Sequence, residues 1–270
     1  MKENSKKPHR KLVVTFPNLK RILDLLTAKA ILTPRDNFFY CHPNQNVSDA
    51  KRLLRDKKFS GAPLKEKVLR RLVKLEKLEQ CDGHIKHCSE VATEITGQDM
   101  IPEDTSIERL IGIFAGRKDN SPLFVAKNKS ITGLITSADL DKIAVKVYFF
   151  ILISALESLL LDIIGKGYEK YKSCLQNPGK VEKRRRRCKG ELVGLDEYHY
   201  LMTPEILEIV WGSAIKKNMN VKTEDELNEL KDFRNLVAHG NYIIIKDEDV
   251  RRLKNMNRRI RGYIKRLEQI

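Results

Sequence analysis

A pattern that repeats after about 60 residues is the feature of this sequence that most restricts its fold. In each copy a polar turn with a capping residue opens an amphipathic helix, and a short strand containing proline follows. The first copy spans residues 46–64 and the second spans residues 103–125. Strands and helices that alternate at this period predict two stacked β-α-β-β-α units.

The second half of the chain has the periodicity of helices. We expect helical segments over residues 142–165, 168–175, from Pro204, from Thr223 to near Gly240, and over 247–268, with a loop over 177–190. The predicted fold class is therefore α+β. A basic arm with a short strand and helix occupies residues 1–26, the repeated units occupy 27–141, and an all-α bundle occupies 142–270.

The most apolar segment, Val145–Ile164, has the composition of a membrane span. Lys146, Glu157 and Asp162 interrupt it, so its uninterrupted apolar part is shorter than the ~20 residues that a span needs. A helix that is apolar nearly all round is also typical of the centre of a bundle. We therefore expect no membrane contact.

The chain carries a formal net charge of +16 and has a pI near 9.6, which favours a polyanionic partner. Four consecutive arginines, Arg184, Arg185, Arg186 and Arg187, fall in the predicted loop, where they either bind an RNA backbone or are simply solvated. Met1–Arg10 is charged, and the five cysteines show no repeating spacing. These two features predict free thiols and a cytoplasmic location.

Four potential zinc ligands lie between Cys81 and Cys88. His87 and Cys88 are adjacent, however, so they do not easily face one ion together with the others. No second Cys/His group completes a familiar site. We therefore interpret this segment as a polar linker and predict no metal site.

The segment from Ile131 to Leu140 has the composition of a phosphate-binding turn. An apolar strand ends at Thr136, and backbone N–H groups at the following helix start could hold a phosphate with the hydroxyls of Thr136 and Ser137. The carboxylate of Asp139 suits ribose hydroxyls, and Gly133 would allow close backbone approach to the ligand. Alternatively, Thr136 only caps the helix and Asp139 only favours its dipole.

The repeated units resemble tandem CBS domains over residues 25–141, most specifically in the run Gly133-Leu-Ile-Thr136-Ser-Ala-Asp139. The resemblance implies an adenine nucleotide (AMP, ADP or ATP) as regulatory ligand, held by Gly133, Thr136, Ser137 and Asp139. Strands around Pro63 and Pro122 would line the adenine pocket. The corresponding run of the first copy, residues 71–77, has no glycine or hydroxyl and carries a lysine where the acid should stand, so we expect one nucleotide site.

A second candidate site is the run Lys231–Gly240, which carries Arg234 and His239. His239 can move protons near neutral pH, and Arg234 can hold a scissile phosphate. The two side chains lie about 140° apart on a straight helix, so they converge only if the helix unwinds near Gly240 or if two copies meet. Otherwise Arg234 pairs with a core acid and His239 caps the helix.

The run from Arg234 to His239 resembles the Arg-polar-x₃-His signature of HEPN domains, an all-α family that contains many metal-independent ribonucleases. The resemblance covers residues 142–268 and implies a homodimer that brings two motifs into one cleft. Arg234 and His239 would be catalytic, Asn235 supportive, and Glu157 would position Arg234.

Together these features predict a homodimeric endoribonuclease that needs no catalytic cofactor, acts on RNA, and is regulated by an adenine nucleotide. The alternative is a non-catalytic nucleotide sensor whose helical part dimerises or docks a partner or nucleic acid.

Overall fold

The computed structural model describes residues 16–81, 84–117, 121–128, 130–188, 196–240, 243 and 247–270. The predicted basic arm (Lys6, Lys7, Arg10 and Lys11) and most of the strand expected at 12–16 lie outside these residues. The chain divides into two compact units. One contains Leu23–Phe150 and Asp232–Arg259, and the other contains the chain up to Ile22, Ile151–Lys231 and Ile260–Ile270. Domain boundaries at 26/27 and 141/142 stay predictions.

The repeat is present as alternating strands and helices. Before and within the first copy lie α1 (Phe16–Asp24), β1 (Thr33–Pro34), α2 (Val47–Asp56), β2 (Gly61–Pro63), β3 (Arg71–Lys74) and α3 (Leu75–Glu79). The next elements are α4 (Cys88–Val91), β4 (Thr93–Glu94), β5 (Met100–Pro102), α5 (Ile107–Gly116), β6 (Leu123–Lys127) and β7 (Ser130–Ile135). Both predicted caps are formed, because the Asn46 side chain accepts from the Ser48 amide and the Ser106 side chain from the Arg109 amide.

The two copies exchange their first strands. One sheet has the order β1-β7-β6-β5 and the other has the order β2-β3-β4. The short β1 strand that precedes the first copy pairs with β7 of the second, and β4 pairs in return with β3 of the first. This reciprocal pairing ties the copies together through backbone hydrogen bonds, which composition and periodicity do not reveal.

The helices of the second half follow the prediction except for two, at residues 178–188 and 215–219, which were not predicted. They are α6 (Ile143–Gly165), α7 (Tyr168–Tyr171), α8 (Pro178–Cys188), α9 (Thr203–Gly212), α10 (Ile215–Met219), α11 (Glu224–Ala238) and α12 (Asp247–Leu267). The loop expected at 177–190 was wrong, since α8 occupies most of it. Its Val181 is fully buried, and two of its arginines pair with Glu182 one turn away. These local contacts outweigh the crowding of like charges.

The apolar face predicted for the last helix is confirmed, because its six apolar residues are all buried: Val250, Leu253, Met256, Ile260, Ile264 and Leu267. In the unit that contains the start of α6, the ring of Phe149 packs edge-on against the ring of Phe233 of α11, with the ring centres 4.9 Å apart. The Tyr148 hydroxyl donates to Asn257 of α12 at 2.8 Å. Among the described helices, α6 is long and apolar enough to cross a membrane, a property that the core helix of a soluble protein shares.

Candidate functional site

A cleft of about 690 Å³ lies in the unit that contains the repeat. The residues of the predicted nucleotide turn line it, namely Thr136, Ser137, Ala138 and Asp139, and so does the predicted Pro122. Its volume is that of a pocket for a small molecule. The opposite copy contributes residues 57–61 and Pro63, so both halves of the repeat build one site.

The turn at Thr136 is held by its own side chains. A short 3₁₀ helix, Ser137–Asp141, follows β7 directly. Asp139 Oδ2 accepts from the Thr136 amide at 2.6 Å and from the Thr136 hydroxyl at 2.9 Å, while Asp139 Oδ1 lies 2.7 Å from Lys142 Nζ. Asp139 is only 9% exposed. Both carboxylate oxygens therefore have partners before any ligand is considered.

The same turn occurs a second time at Thr96–Asp99, which the sequence analysis missed. There Asp99 Oδ2 accepts from the Thr96 amide and hydroxyl, and Arg117 donates to Asp99 at 3.3 Å. Burial opposes ionisation of Asp99, yet these hydrogen bonds hold its pKa below the usual value. Asp99 does not line the cleft described above. The capping turn is thus a structural device of this fold, and position in the cleft distinguishes Asp139 from Asp99.

Gly133 has a different role from the one predicted. It does not line the cleft. A Cβ atom at this position would lie 2.7 Å from Leu32 Cδ1 and 2.8 Å from the carbonyl oxygen of Thr33. The close approach that requires glycine is therefore that of β1 to β7, where Gly133 pairs with Pro34.

Aromatic rings and lysines in the cleft were not predicted. Phe38, Phe39 and Phe59 line it, and the rings of Phe39 and Phe59 lie 5.9 Å apart. Lys57 and Lys58 follow the end of α2, with Lys57 Nζ 5.3 Å from the centre of the Phe39 ring. The left-handed backbone of Lys58 (φ 56°) turns the chain here. The signal was the run Lys57-Lys58-Phe59 between a helix and a strand.

Arg234 and Asn235 lie on the last turns of α11, and His239 directly follows its last residue. Asn235 and His239 are exposed and Arg234 is half-buried. The helix ends at Ala238, the His239 amide still donates to the Asn235 carbonyl at 3.0 Å, and Gly240 follows with a φ of 68°. The hydrogen bond to the His239 amide keeps the backbone helical up to that nitrogen, and the meeting of two copies stays a prediction. Within one chain, Arg234 and His239 point in directions about 140° apart.

Glu157 lies on α6 and is half-buried. Its carboxylate accepts a hydrogen bond from the Thr203 hydroxyl at 2.5 Å, at the start of α9. This contact explains how an acid is accommodated in an apolar helix. The pairing of Glu157 with Arg234 stays a prediction.

The four arginines of α8 are not equivalent. Arg184 pairs with Glu205 of α9 at 2.7 Å, and both side chains are largely buried. Arg185 and Arg186 lie within 3.5 Å of Glu182, while Arg187 is exposed. The Arg184 side chain thus links α8 to α9. RNA binding by this run stays a prediction for the other three arginines.

A cationic stripe follows the outer face of α12. Its members are exposed, are spaced by three, four and seven residues, and extend over about 21 Å of helix: Arg251, Lys254, Arg258 and Lys265. No carboxylate among the described residues is recorded within ion-pair distance of these four side chains. The positions of these basic residues are evident from the sequence, but their lack of nearby carboxylates among the described residues is not.

The segment from Cys81 to Cys88 does not gather a metal site in the described residues, which exclude Asp82 and Gly83. Cys88 is fully buried and packs with Cys41 in the core of the first copy. A hydrogen bond between the two thiols, together with burial, raises the pKa of Cys41. All five cysteines are free thiols.

No protein-family model matches this sequence, and neither does any curated protein. Solved structures of CBS domain pairs resemble its N-terminal part. One is CBSX2 from Arabidopsis thaliana in complex with AMP, which has 21% sequence identity and a TM-score of 0.37. The match covers 45% of this chain and 97% of the CBSX2 chain. The CBS domain of a bacterial CNNM/CorC family Mg²⁺ transporter with ATP has 16% identity and a TM-score of 0.37 over 46% and 90%.

A third solved structure is the CBS domain pair of protein MJ0100, in complex with 5′-methylthioadenosine and S-adenosyl-L-methionine. It has 17% identity and a TM-score of 0.35, over 42% of this chain and 91% of its own. All three similarities concern less than half of this chain. The resemblance of the helical part to HEPN domains stays a prediction.

Proposed function

We propose that this protein is a sensor of adenine nucleotides, which bind in the cleft between the two copies of the repeat. The observation that carries the proposal is that one cleft combines Asp139 and the hydroxyls of Thr136 and Ser137 with two lysines and three aromatic rings, of which Phe59 is exposed. Each group suits a different part of a nucleotide.

The aromatic part of the cleft suits a purine. Phe59 is 42% exposed although it is a large apolar side chain, and it lies against Phe39. A planar base that covers these rings removes apolar surface from water and gains aromatic contact. Lys57 and Lys58 supply positive charge for phosphate, and Asp139 can accept from ribose hydroxyls.

Calorimetric titration of the full chain with AMP, ADP and ATP tests this proposal. We expect at least one of them to bind with one site per chain, because Asp99, in the other capping turn, does not line this cleft. CMP is the matched control, since it has the same ribose and phosphate but a smaller base. Heat signals absent for all three adenine nucleotides, or equal affinity for CMP, would contradict an adenine-specific sensor.

A second candidate function, metal-independent cleavage of RNA, is favoured by two exposed side chains four residues apart, Asn235 near the end of α11 and His239 just beyond it. The 2′-hydroxyl would lose its proton and attack the adjacent phosphorus, the bond to the 5′ oxygen would break, and that oxygen would take up a proton. The products are a 2′,3′-cyclic phosphate and a 5′-hydroxyl. His239 would transfer protons and Arg234 would neutralise the phosphate.

This reaction requires a homodimer, because Arg234 and His239 of one chain diverge. An apolar stripe on the first turns of α6 offers a surface for a second copy. Ile143 is 71% exposed, Val147 39% and Phe150 49%. Residues spaced by four and three share one helix face, and burying such a face is a common basis of helix association. We place the dimer in the cytoplasm, in keeping with the free thiols.

The cationic stripe of α12 predicts strongly salt-dependent RNA binding. Each phosphate contact contributes about −0.7 to the slope of log affinity against log salt for single strands. If four phosphates are contacted, affinity should fall roughly 50-fold between 50 and 200 mM salt. Replacing Arg251, Lys254, Arg258 and Lys265 by glutamine should remove most of that slope.

The matched control for this measurement replaces four exposed cations of the repeated units, residues 27–141, by glutamine: Lys65, Lys67, Arg70 and Lys86. It changes the net charge equally. Fluorescence anisotropy with a labelled RNA at several salt concentrations gives both slopes. Equal effects of the two variants would show that binding follows overall charge and not the α12 stripe.

A further inference from the structure

A buried ion pair connects the nucleotide turn to the end of α11. Asp141 is the last residue of the 3₁₀ helix that begins at the cleft. Its Oδ1 accepts from the Ile243 amide at 2.7 Å, and its Oδ2 lies 3.3 Å from Lys146 Nζ. Lys146 Nζ also donates to the Gly240 carbonyl oxygen at 3.1 Å. We call Asp141 and Lys146, with these two backbone contacts, the clasp.

The clasp fixes the point at which α11 ends. The carbonyl groups in the last turn of a helix lack intrahelical partners and favour a cation. Lys146 provides that cation at Gly240, the residue directly after His239. The Asp141 and Lys146 side chains are only 17% and 10% exposed. A buried pair with several hydrogen bonds has one well-defined geometry, and removing one partner leaves a costly charge.

The 3₁₀ helix that carries Asp141 also carries Asp139, which lines the cleft. Asp139 Oδ1, the oxygen that a ribose hydroxyl would approach, is held by Lys142 at 2.7 Å. Lys142 also donates to the Ile31 carbonyl oxygen and immediately precedes α6. A ligand that binds Asp139 Oδ1 would share this oxygen with Lys142 or displace it. The 3₁₀ helix is short, and backbone hydrogen bonds from Asp139 to Thr136 and from Lys142 to Asp139 link its residues, so we expect it to respond as a unit.

We propose that Asp141 and Lys146 are positioning residues that make the placement of the C-terminal turn of α11, and with it His239, depend on nucleotide in the cleft. The proposal rests on the proposed nucleotide binding but not on ribonuclease activity. A ligand can shift a conformation only if its contacts differ between the two states. Replacement of Lys142 by a ribose hydroxyl at Asp139 would provide that difference. The clasp carries that difference to Gly240 and Ile243 through three direct contacts.

Hydrogen exchange measured by mass spectrometry tests this role in the full chain, with ADP as the probe. The readout is the exchange rate in peptides covering residues 232–240. In the wild type we expect ADP to change this rate by at least about threefold, as expected for local opening that a ligand stabilises or weakens. In Asp141→Asn we expect ADP still to bind, with an affinity within about threefold in calorimetry, and the change at α11 to disappear.

Ligand-free protein provides a second, independent comparison. Without the Asp141 carboxylate the contacts to Ile243 and Lys146 weaken, so α11 should exchange faster in Asp141→Asn than in the wild type. Asp104→Asn is the control, because Asp104 is an exposed acid in the same unit. It should leave exchange at α11 and ADP binding unchanged. Lys146→Gln tests the same contact from its other side.

The outcomes separate the two proposals. If ADP binds the wild type and exchange at α11 does not respond, or if the response persists in Asp141→Asn, the clasp does not transmit occupancy. If AMP or ATP binds instead of ADP, that nucleotide is the probe; if none of the three binds, nucleotide sensing fails, and with it the dependence on occupancy. Unchanged ligand-free exchange in both Asp141→Asn and Lys146→Gln would overturn the positioning role itself.

Discussion

His239→Ala and Arg234→Ala should each lower the rate of RNA cleavage by at least about 100-fold, the usual effect of losing a general acid–base group or a charge-stabilising donor. The wild type should cleave in the presence of EDTA, because Arg234 supplies the countercharge that a metal ion would otherwise give. DNA should be spared, since it lacks the 2′-hydroxyl nucleophile. Cleavage of a labelled RNA, with separation of the cyclic-phosphate product, gives these rates.

His199→Ala is the matched control for this experiment, because His199 is also an exposed histidine. It should retain full activity. Light scattering should show that all variants keep the oligomeric state of the wild type. If the wild-type protein leaves a panel of RNAs uncut, both with and without adenine nucleotides, the ribonuclease proposal fails and nucleotide sensing is the function that stands. Cleavage that survives both substitutions on α11 would assign the activity to other residues.

Asp139→Asn should weaken binding of an adenine nucleotide by ~1–3 kcal/mol, the scale of hydrogen bonds to a charged group. This corresponds to an increase in Kd of about 5- to 150-fold. The loss is expected because the neutral amide accepts less strongly from ribose hydroxyls than the carboxylate does. Calorimetric titration with ADP, AMP and ATP measures the change.

Asp99→Asn controls for damage to the fold. Asp99 forms the same capping turn with Thr96 but lies outside the lining of the cleft. Both variants lose a capping carboxylate, which costs roughly 0.5–2 kcal/mol of stability. Only Asp139→Asn should change nucleotide affinity. Equal losses of affinity in the two variants would mean that Asp139 acts only as a cap.

The sequence by itself determined the repeated units and most of the helix boundaries. The caps at Asn46 and Ser106 and the apolar face of α12 are encoded in residues close together in the chain, so local patterns reveal them. The same holds for Thr136, Ser137 and Asp139, because they lie within four residues of one turn. It does not hold for α8, where a run of four arginines has the composition of a loop.

Only the tertiary structure decided what surrounds these patterns. The glycine at position 133 serves the approach of β1, which lies about 100 residues earlier in the chain. Phe39, Lys57 and Phe59 join Asp139 in one cleft because the copies stack and exchange strands. Asp141 reaches Ile243, and Lys146 reaches Gly240, across a similar separation. Such pairings depend on burial and backbone geometry summed over the whole fold, and no local pattern of residue types specifies them.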